Sequence, residues 1–197
     1  MHQISLLDSA LPQGMYYAPD FITAQEERTL LAEIHSLPLS EARYRQYTAR
    51  RRTFSYGAGY DFSLQRTTPA PDLPPFLAPF VARAAAWAQV PAAEFVQALI
   101  SEYQPGTPLG WHRDVPAYEL IVGISLAGEG RMRFRPYPWE PQLKKQVFAL
   151  QVAPRSAYIL SGDSRWRWQH SVPPAKELRY SLTLRTRNRE LRAEAER

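Results

Sequence analysis

A mainly β, α+β chain is what the sequence predicts, on three observations. Eighteen prolines stand against nine glycines, which favours rigid loops and short strands over a helical bundle. Two segments with helical periodicity come first, and six short β-rich segments follow them, separated by Pro, Gly and charged turns. Hydrophobic residues make up 45% of 197 residues, enough for the core of one domain but cramped for two. The strands then form a sandwich or barrel, and the helices cover one sheet face.

The first helix is read in "FITAQEERTLLAEIHSL", where Thr23 and Glu26 make a capping box and Leu30, Leu31, Ile34 and Leu37 form an apolar stripe. The second is "PPFLAPFVARAAAWAQV", with Phe76, Phe80, Val81, Ala84 and Trp87 on or near one face and Pro91 as its stop. The β segments are "FVQALISEYQ", "YELIVGISL", "RMRFRP", "QVFALQV", "SAYILSG" and "LRYSLTLRT". The charged end, "RNRELRAEAER", reads as a solvated helix or a frayed tail.

The absence of cysteine excludes disulfides and thiolate ligands and suits a reducing cytoplasm, the expected location. No apolar run reaches membrane-spanning length. "MHQISLLDSALPQG" lacks the charged start and apolar centre of a signal peptide, so neither signal nor anchor is expected. The net charge is +5, and Arg43, Arg45, Arg50, Arg51 and Arg52 cluster among Tyr44, Tyr47, Phe54 and Tyr56. Such a run either contacts phosphates and stacks on unpaired bases, or is a solvated basic loop.

Only four histidines are present. His2 is terminal and His35 lies within the first helix. His112 stands two residues before Asp114 in "GTPLGWHRDVPAYELIVGISL", and His170 lies in "SRWRWQHSVPP". In an extended segment side chains at i and i+2 point the same way, so His112 and Asp114 can chelate together. With His170 they make two imidazoles and a carboxylate, the facial set of non-haem iron(II) oxygenases. A zinc hydrolase uses the same ligands. Trp111 is expected in the core, and at least one of Trp166 and Trp168 inside. In "LRYSLTLRT", Arg179, Ser181, Thr183 and Arg185 share one strand face and Tyr180, Leu182 and Leu184 the other. Inward-facing arginines need an anion, and a dicarboxylate would supply it. Arginines on an edge strand in water are the alternative.

Together "YQPGTPLGWHRD", "WQHSVP" and "RYSLTLR" resemble the successive core motifs of the AlkB family of iron(II)- and 2-oxoglutarate-dependent dioxygenases. "GAGYDFS" resembles that family's nucleotide-recognition segment. The resemblance spans roughly residues 50 to 187. It implies a double-stranded β-helix (jelly roll) braced by N-terminal helices. One domain over 1–197 is then expected, with a helical extension at 1–42, a recognition lid at 43–68 and a catalytic core at 95–187.

The resemblance also implies a ligand set and a chemistry. His112, Asp114 and His170 would hold Fe(II). Arg179 would bind the distal carboxylate of 2-oxoglutarate, Arg185 would help at its other end, and Tyr103 would hydrogen-bond the cosubstrate. Ser101 and Ser181 stand where the family often has Asn, and are taken as cosubstrate contacts through their hydroxyls. O2 is the co-reactant. Arg51, Phe54, Tyr56, Tyr60 and Arg165 are the expected substrate contacts. The expected reaction is oxidative demethylation of N-alkylated bases, foremost in single-stranded DNA, by a monomer that engages no membrane. RNA, or a protein or lipid substrate, is the alternative. Val115-Pro116 after the H-x-D motif replaces the acidic continuation usual in repair members, which bears on substrate identity.

Overall fold

Helix α1 (Ala24–His35) begins as its capping box dictates: Thr23 Oγ1 accepts from Glu26 N at 3.2 Å, and Glu26 Oε2 accepts from Thr23 N at 2.7 Å. In the computed structural model, residues 11–44, 47–61 and 66–189 are described. The second helical segment splits into a 3-10 turn (Pro75–Leu77) and α2 (Ala78–Ala88). Gln89, left-handed at φ 56°, stops α2 before Pro91 can. A short α3 (Gly162–Trp166) completes the helices. Among the described residues no helix is long and apolar enough to cross a membrane.

The strands are β1 (Met15–Ala18), β2 (Ser40–Tyr44), β3 (Tyr47–Tyr56), β4 (Ala58–Asp61), β5 (Arg66–Pro69), β6 (Phe95–Tyr103), β7 (Leu109–His112), β8 (Tyr118–Ala127), β9 (Gly130–Pro136), β10 (Phe148–Val152), β11 (Ala157–Leu160), β12 (Trp168–Val172) and β13 (Arg179–Arg187). All six expected β segments are present. The basic run, expected as a recognition lid with phosphate contacts or as a solvated loop, supplies parts of β2 and β3. One sheet runs β1-β11-β8-β13-β6-β3-β2, a second runs β10-β9-β12-β7, and β4 pairs with β5. The charged end from residue 190 lies outside the described residues.

Strand alternation sorts the seven-stranded sheet into two environments. Ala98, Ile100, Val122, Ile124, Ala157, Ile159, Tyr180, Leu182 and Leu184 face α1 and α2, packing with Leu30, Ile34, Phe80 and Ala84. On the opposite face Ile121, Tyr158 and Leu160 meet Met132, Phe134, Leu150, Val152 and Val172 of the four-stranded sheet. Two antiparallel sheets enclosing an interior, with helices backing one of them, form a double-stranded β-helix. The helix-backed core holds the frame, and the space between the sheets is where polar residues collect.

Candidate active site

The pairing of β12 with β7 sets His170 directly opposite His112, with ring centroids 4.2 Å apart. Antiparallel register thus brings together residues 58 positions apart in sequence. His112 Nδ1 lies 2.9 Å from Gly110 O. A carbonyl can only accept, so Nδ1 carries the proton and Nε2 keeps its lone pair. Burial lowers the pKa of both imidazoles; His170 falls to about 3, with His112, Arg165 and Arg185 adding to the effect against Asp114. Both rings are therefore neutral at neutral pH.

Asp114 follows β7 in a loop clamped from behind. Arg165, 2% exposed, directs Nη2 at the carbonyls of Asp114 (3.1 Å), Val115 (2.8 Å) and Tyr118 (2.8 Å). Arg185 Nη2 meets Asp114 Oδ1 at 2.6 Å, and its Nη1 donates to Gln97 Oε1 at 2.8 Å. Gln97 Nε2 donates in turn to Ala58 O at 2.7 Å, which ties β4 to this network. Burial alone would raise the Asp114 carboxyl, but Arg185, the two histidines and Arg165 hold it well below the usual carboxylate range. It is an anion.

Further along the same face of β13, the register sets Arg179 opposite Tyr103 and Ser181 opposite both Ser101 and Ser125. Arg179 Nε donates to Ser125 Oγ at 3.1 Å, and its guanidinium lies 5.3 Å from the Tyr103 ring centroid. Gly130 leaves it room, since a Cβ there would come within 2.5 Å of Arg179 Nε. No carboxylate pairs with Arg179 among the described residues. Arg51 and Ser181 hydrogen-bond Tyr103; burial works to raise its phenol, but Arg51 and Arg179 prevail and lower it. A keto-diacid entering this space meets two guanidinium groups, a phenol and a row of serine hydroxyls.

A match to the family model described as the 2OG-Fe(II) oxygenase superfamily covers residues 14–190, most of the chain. The chain belongs to that superfamily. An Arabidopsis thaliana relative called "Alkylated DNA repair protein ALKBH8 homolog" is 31% identical, over 88% of this chain and 55% of its own length. Danio rerio "Probable RNA/DNA demethylase ALKBH6" is 26% identical over 82% of this chain and 70% of its own. A third, the Xenopus tropicalis "tRNA (carboxymethyluridine(34)-5-O)-methyltransferase alkbh8", is 27% identical, and the match takes in 27% of its length. The chain thus spans from about a quarter to just over half of several relatives it matches. The OsALKBH1 structure superposes at TM-score 0.74 with 15% identity, covering 89% of this chain and 98% of that one. A Pseudomonas putida prolyl-4-hydroxylase superposes at 0.62 with 17% identity, covering 93% and 97%. Those two likenesses establish the fold, and in sequence this oxygenase is similar to the AlkB homologues among its relatives.

The superfamily's Fe(II), 2-oxoglutarate and O2 can be tested against the residues present. Among the described residues no three His, Asp or Glu side chains form a preassembled metal cluster. The chain offers two touching imidazoles and a carboxylate drawn onto Arg185. The donor chemistry fits: neutral rings, one with a fixed lone pair, and an ionised carboxylate.

Several expected contacts of the oxygenase lie elsewhere. Phe54 and Tyr56 are corrected: they face the helices, their rings 4.9 Å apart, and Tyr56 meets Phe76 at 6.1 Å in the helix-backed core. Strand parity separates them from Arg51, which is buried beside Tyr103 rather than exposed to phosphates. Arg165 is corrected too, its Nη2 being turned onto the Asp114 loop. The bonds of Arg185 run to Asp114 and Gln97, so it positions a ligand carboxylate. The side chain of Tyr60 lies outside the described residues.

Sequence reasoning missed Tyr158. Its ring crosses Gly123, where a Cβ would sit 2.2 Å from Tyr158 Cζ. Burial pushes its phenol up against the opposing pull of Arg179, and Asp114 and Tyr103 add to the rise. Its only signal is the Gly123 interruption in an otherwise apolar strand, which marks a close approach.

Proposed function

We propose that this oxygenase removes N-methyl groups from nucleobases, with single-stranded DNA as the first substrate to test and RNA beside it. One molecule each of 2-oxoglutarate and O2 is consumed. Succinate and CO2 form from the cosubstrate, and one oxygen atom enters the methyl C–H bond. The resulting hemiaminal breaks its C–N bond, giving formaldehyde and the unmodified base. Iron(II), when bound by His112, Asp114 and His170, supplies the activation of dioxygen.

The chain's own residues do the rest. Arg179, buried in the inter-sheet space without a carboxylate partner among the described residues, carries the reading, because a guanidinium so desolvated calls for an anionic ligand. Arg51 and Tyr103 extend that receptor, and Arg185 fixes the orientation of Asp114. Met132, Phe134, Leu150 and Val172 keep the interior dry. The nucleobase part of the reading is supported by two relatives, one named an alkylated DNA repair protein and the other a probable RNA/DNA demethylase. A base must leave its stack to reach an enclosed site, so unpaired strands are expected to react best.

Purified protein with iron(II), ascorbate and 2-oxoglutarate is expected to release formaldehyde from DNA or RNA oligomers carrying 1-methyladenine or 3-methylcytosine, with loss of methyl mass from the strand. Succinate formation with no mass change in any oligomer would leave an oxygenase and remove the nucleobase claim.

A further inference from the structure

The outer face of the four-stranded sheet carries charge that the oxygenase chemistry does not use. On β9, Met132 and Phe134 point into the core, so Arg131, Arg133 and Arg135 project outward. Across the register, Arg133 Nε donates to Ser171 Oγ at 3.1 Å and Arg135 Nε to Gln169 Oε1 at 2.8 Å. Trp111, expected in the core, lies on this face instead: the Arg133 and Arg135 guanidinium carbons are 5.1 and 4.5 Å from its ring centroid. Trp139 lies 5.2 Å from Arg135, and Arg113 sits 3.7 Å over the half-exposed Tyr137 ring. Neither Arg133 nor Arg135 has a carboxylate partner among the described residues. The acidic residues flanking β9, Glu129 and Glu140, lie in the turns outside the strand, and Asp163 pairs with Arg167.

Indole rings and the cross-strand Nε bonds hold these guanidinium groups, and their Nη atoms have no hydrogen-bond partner among the described residues, so little side-chain freedom is left to lose on binding. Alternate residues on a strand stand about 6.6 Å apart, of the order of the step between successive phosphates in an extended polynucleotide. The face backs the strands that carry His112 and His170, for Trp111 precedes one and Gln169 the other.

We propose that this arginine–tryptophan face is a docking track for the flanking sugar–phosphate backbone of a single-stranded polynucleotide. The proposal rests on the nucleobase reading above and extends it from the base to the strand around it. Charge complementarity favours this occupant: the strand positions of this face present cations, an aromatic ring and amide groups but no carboxylate.

The test is fluorescence anisotropy of labelled, unmethylated oligothymidylate and oligouridylate on the iron- and 2-oxoglutarate-loaded protein without oxygen, at several salt concentrations. The variant combines Arg131→Gln, Arg133→Gln and Arg135→Gln. Its control removes equal charge elsewhere through Arg28→Gln, Lys176→Gln and Arg187→Gln. The track variant is expected to bind at least about tenfold more weakly, with a salt slope shallower by about 2, from three lost single-strand phosphate contacts. The control should hold closer to the parent, and melting midpoints verify that both variants fold. Equal losses in both variants would reduce the effect to net charge and overturn the track. So would parent-like binding by the track variant while the parent demethylates oligomers, and that result leaves the nucleobase reading standing. Binding of polyglutamate but of neither oligonucleotide would overturn the track in favour of an acidic protein partner. No binding to any probe, with no methyl removal, would overturn both readings.

Discussion

Tyr180, Leu182 and Leu184 of β13 pack beneath α1 and α2, whereas Arg179, Ser181, Thr183 and Arg185, each one position away, face the second sheet. The apolar side gains stability from burial at about 25 cal/mol per Å². The other side takes two cations out of water, a cost that an apolar substitution would avoid. One strand therefore contributes stability on one face and chemistry on the other. The comparison breaks if substitutions on the two faces have the same consequences.

The largest effect is expected at Arg179. Arg179→Gln should weaken 2-oxoglutarate binding about 100- to 1,000-fold, the scale of losing one partner of a buried ion pair at about 1.4 kcal/mol per decade. Calorimetric titration of anaerobic, iron-loaded protein reads it. The melting midpoint should stay near the parent's or rise. Unchanged cosubstrate affinity would remove Arg179 from the site.

Leu182→Ala tests the other face. Leu182 is fully buried, so the substitution should cost about 2–5 kcal/mol and lower the midpoint by several degrees. Cosubstrate affinity of the folded protein should hold. A comparable affinity loss here would show that the faces are not separable. Smaller again is Arg185→Gln, which should weaken iron binding by about 10- to 100-fold, as expected for a residue that orients a ligand carboxylate. An iron titration that matches the parent's would mean that Asp114 needs no such support.

The division along β13 was legible because its alternation is uninterrupted from Arg179 to Arg185. The same holds for the Thr23–Glu26 cap, a local hydrogen-bond pattern. Strand β3 was less legible: its arginines and aromatics suggested one contact surface, yet Arg51 turns inward while Phe54 and Tyr56 turn to the helices. Parity would have separated them had the run been read as a strand. Tyr158 had no motif, because its place depends on crossing Gly123 of a neighbouring strand. Likewise, ligand chemistry and the family resemblance join His170 to His112, but only sheet register sets them opposite each other. The orientation of Arg165 depends on where the Asp114 loop returns after β7, which no local pattern encodes.

The smallest effect sharpens the comparison at its edge, where the helix-backed face itself carries charge. Glu102, 2% exposed, sits opposite Arg52 on the neighbouring strand, and Arg52 Nε and Nη2 each donate to a carboxylate oxygen at 2.7 Å. Tyr180 Oη donates to Glu102 at 3.1 Å. The Arg52 bonds lead in lowering the Glu102 pKa below its ordinary 4.5, and they outweigh burial. A depressed carboxylate stabilises the fold fully above the unfolded value and loses that contribution as pH falls through the folded one. The midpoint should therefore hold from pH 7 to about 5 and decline below about 4.5, with Glu102→Gln flattening part of that decline. The outer half of Arg52 stands in water, side chain 45% exposed, so the pair should be worth about 1 kcal/mol or less. Parallel acid profiles for parent and variant would mean that the pair contributes nothing and that stability on this face is apolar throughout.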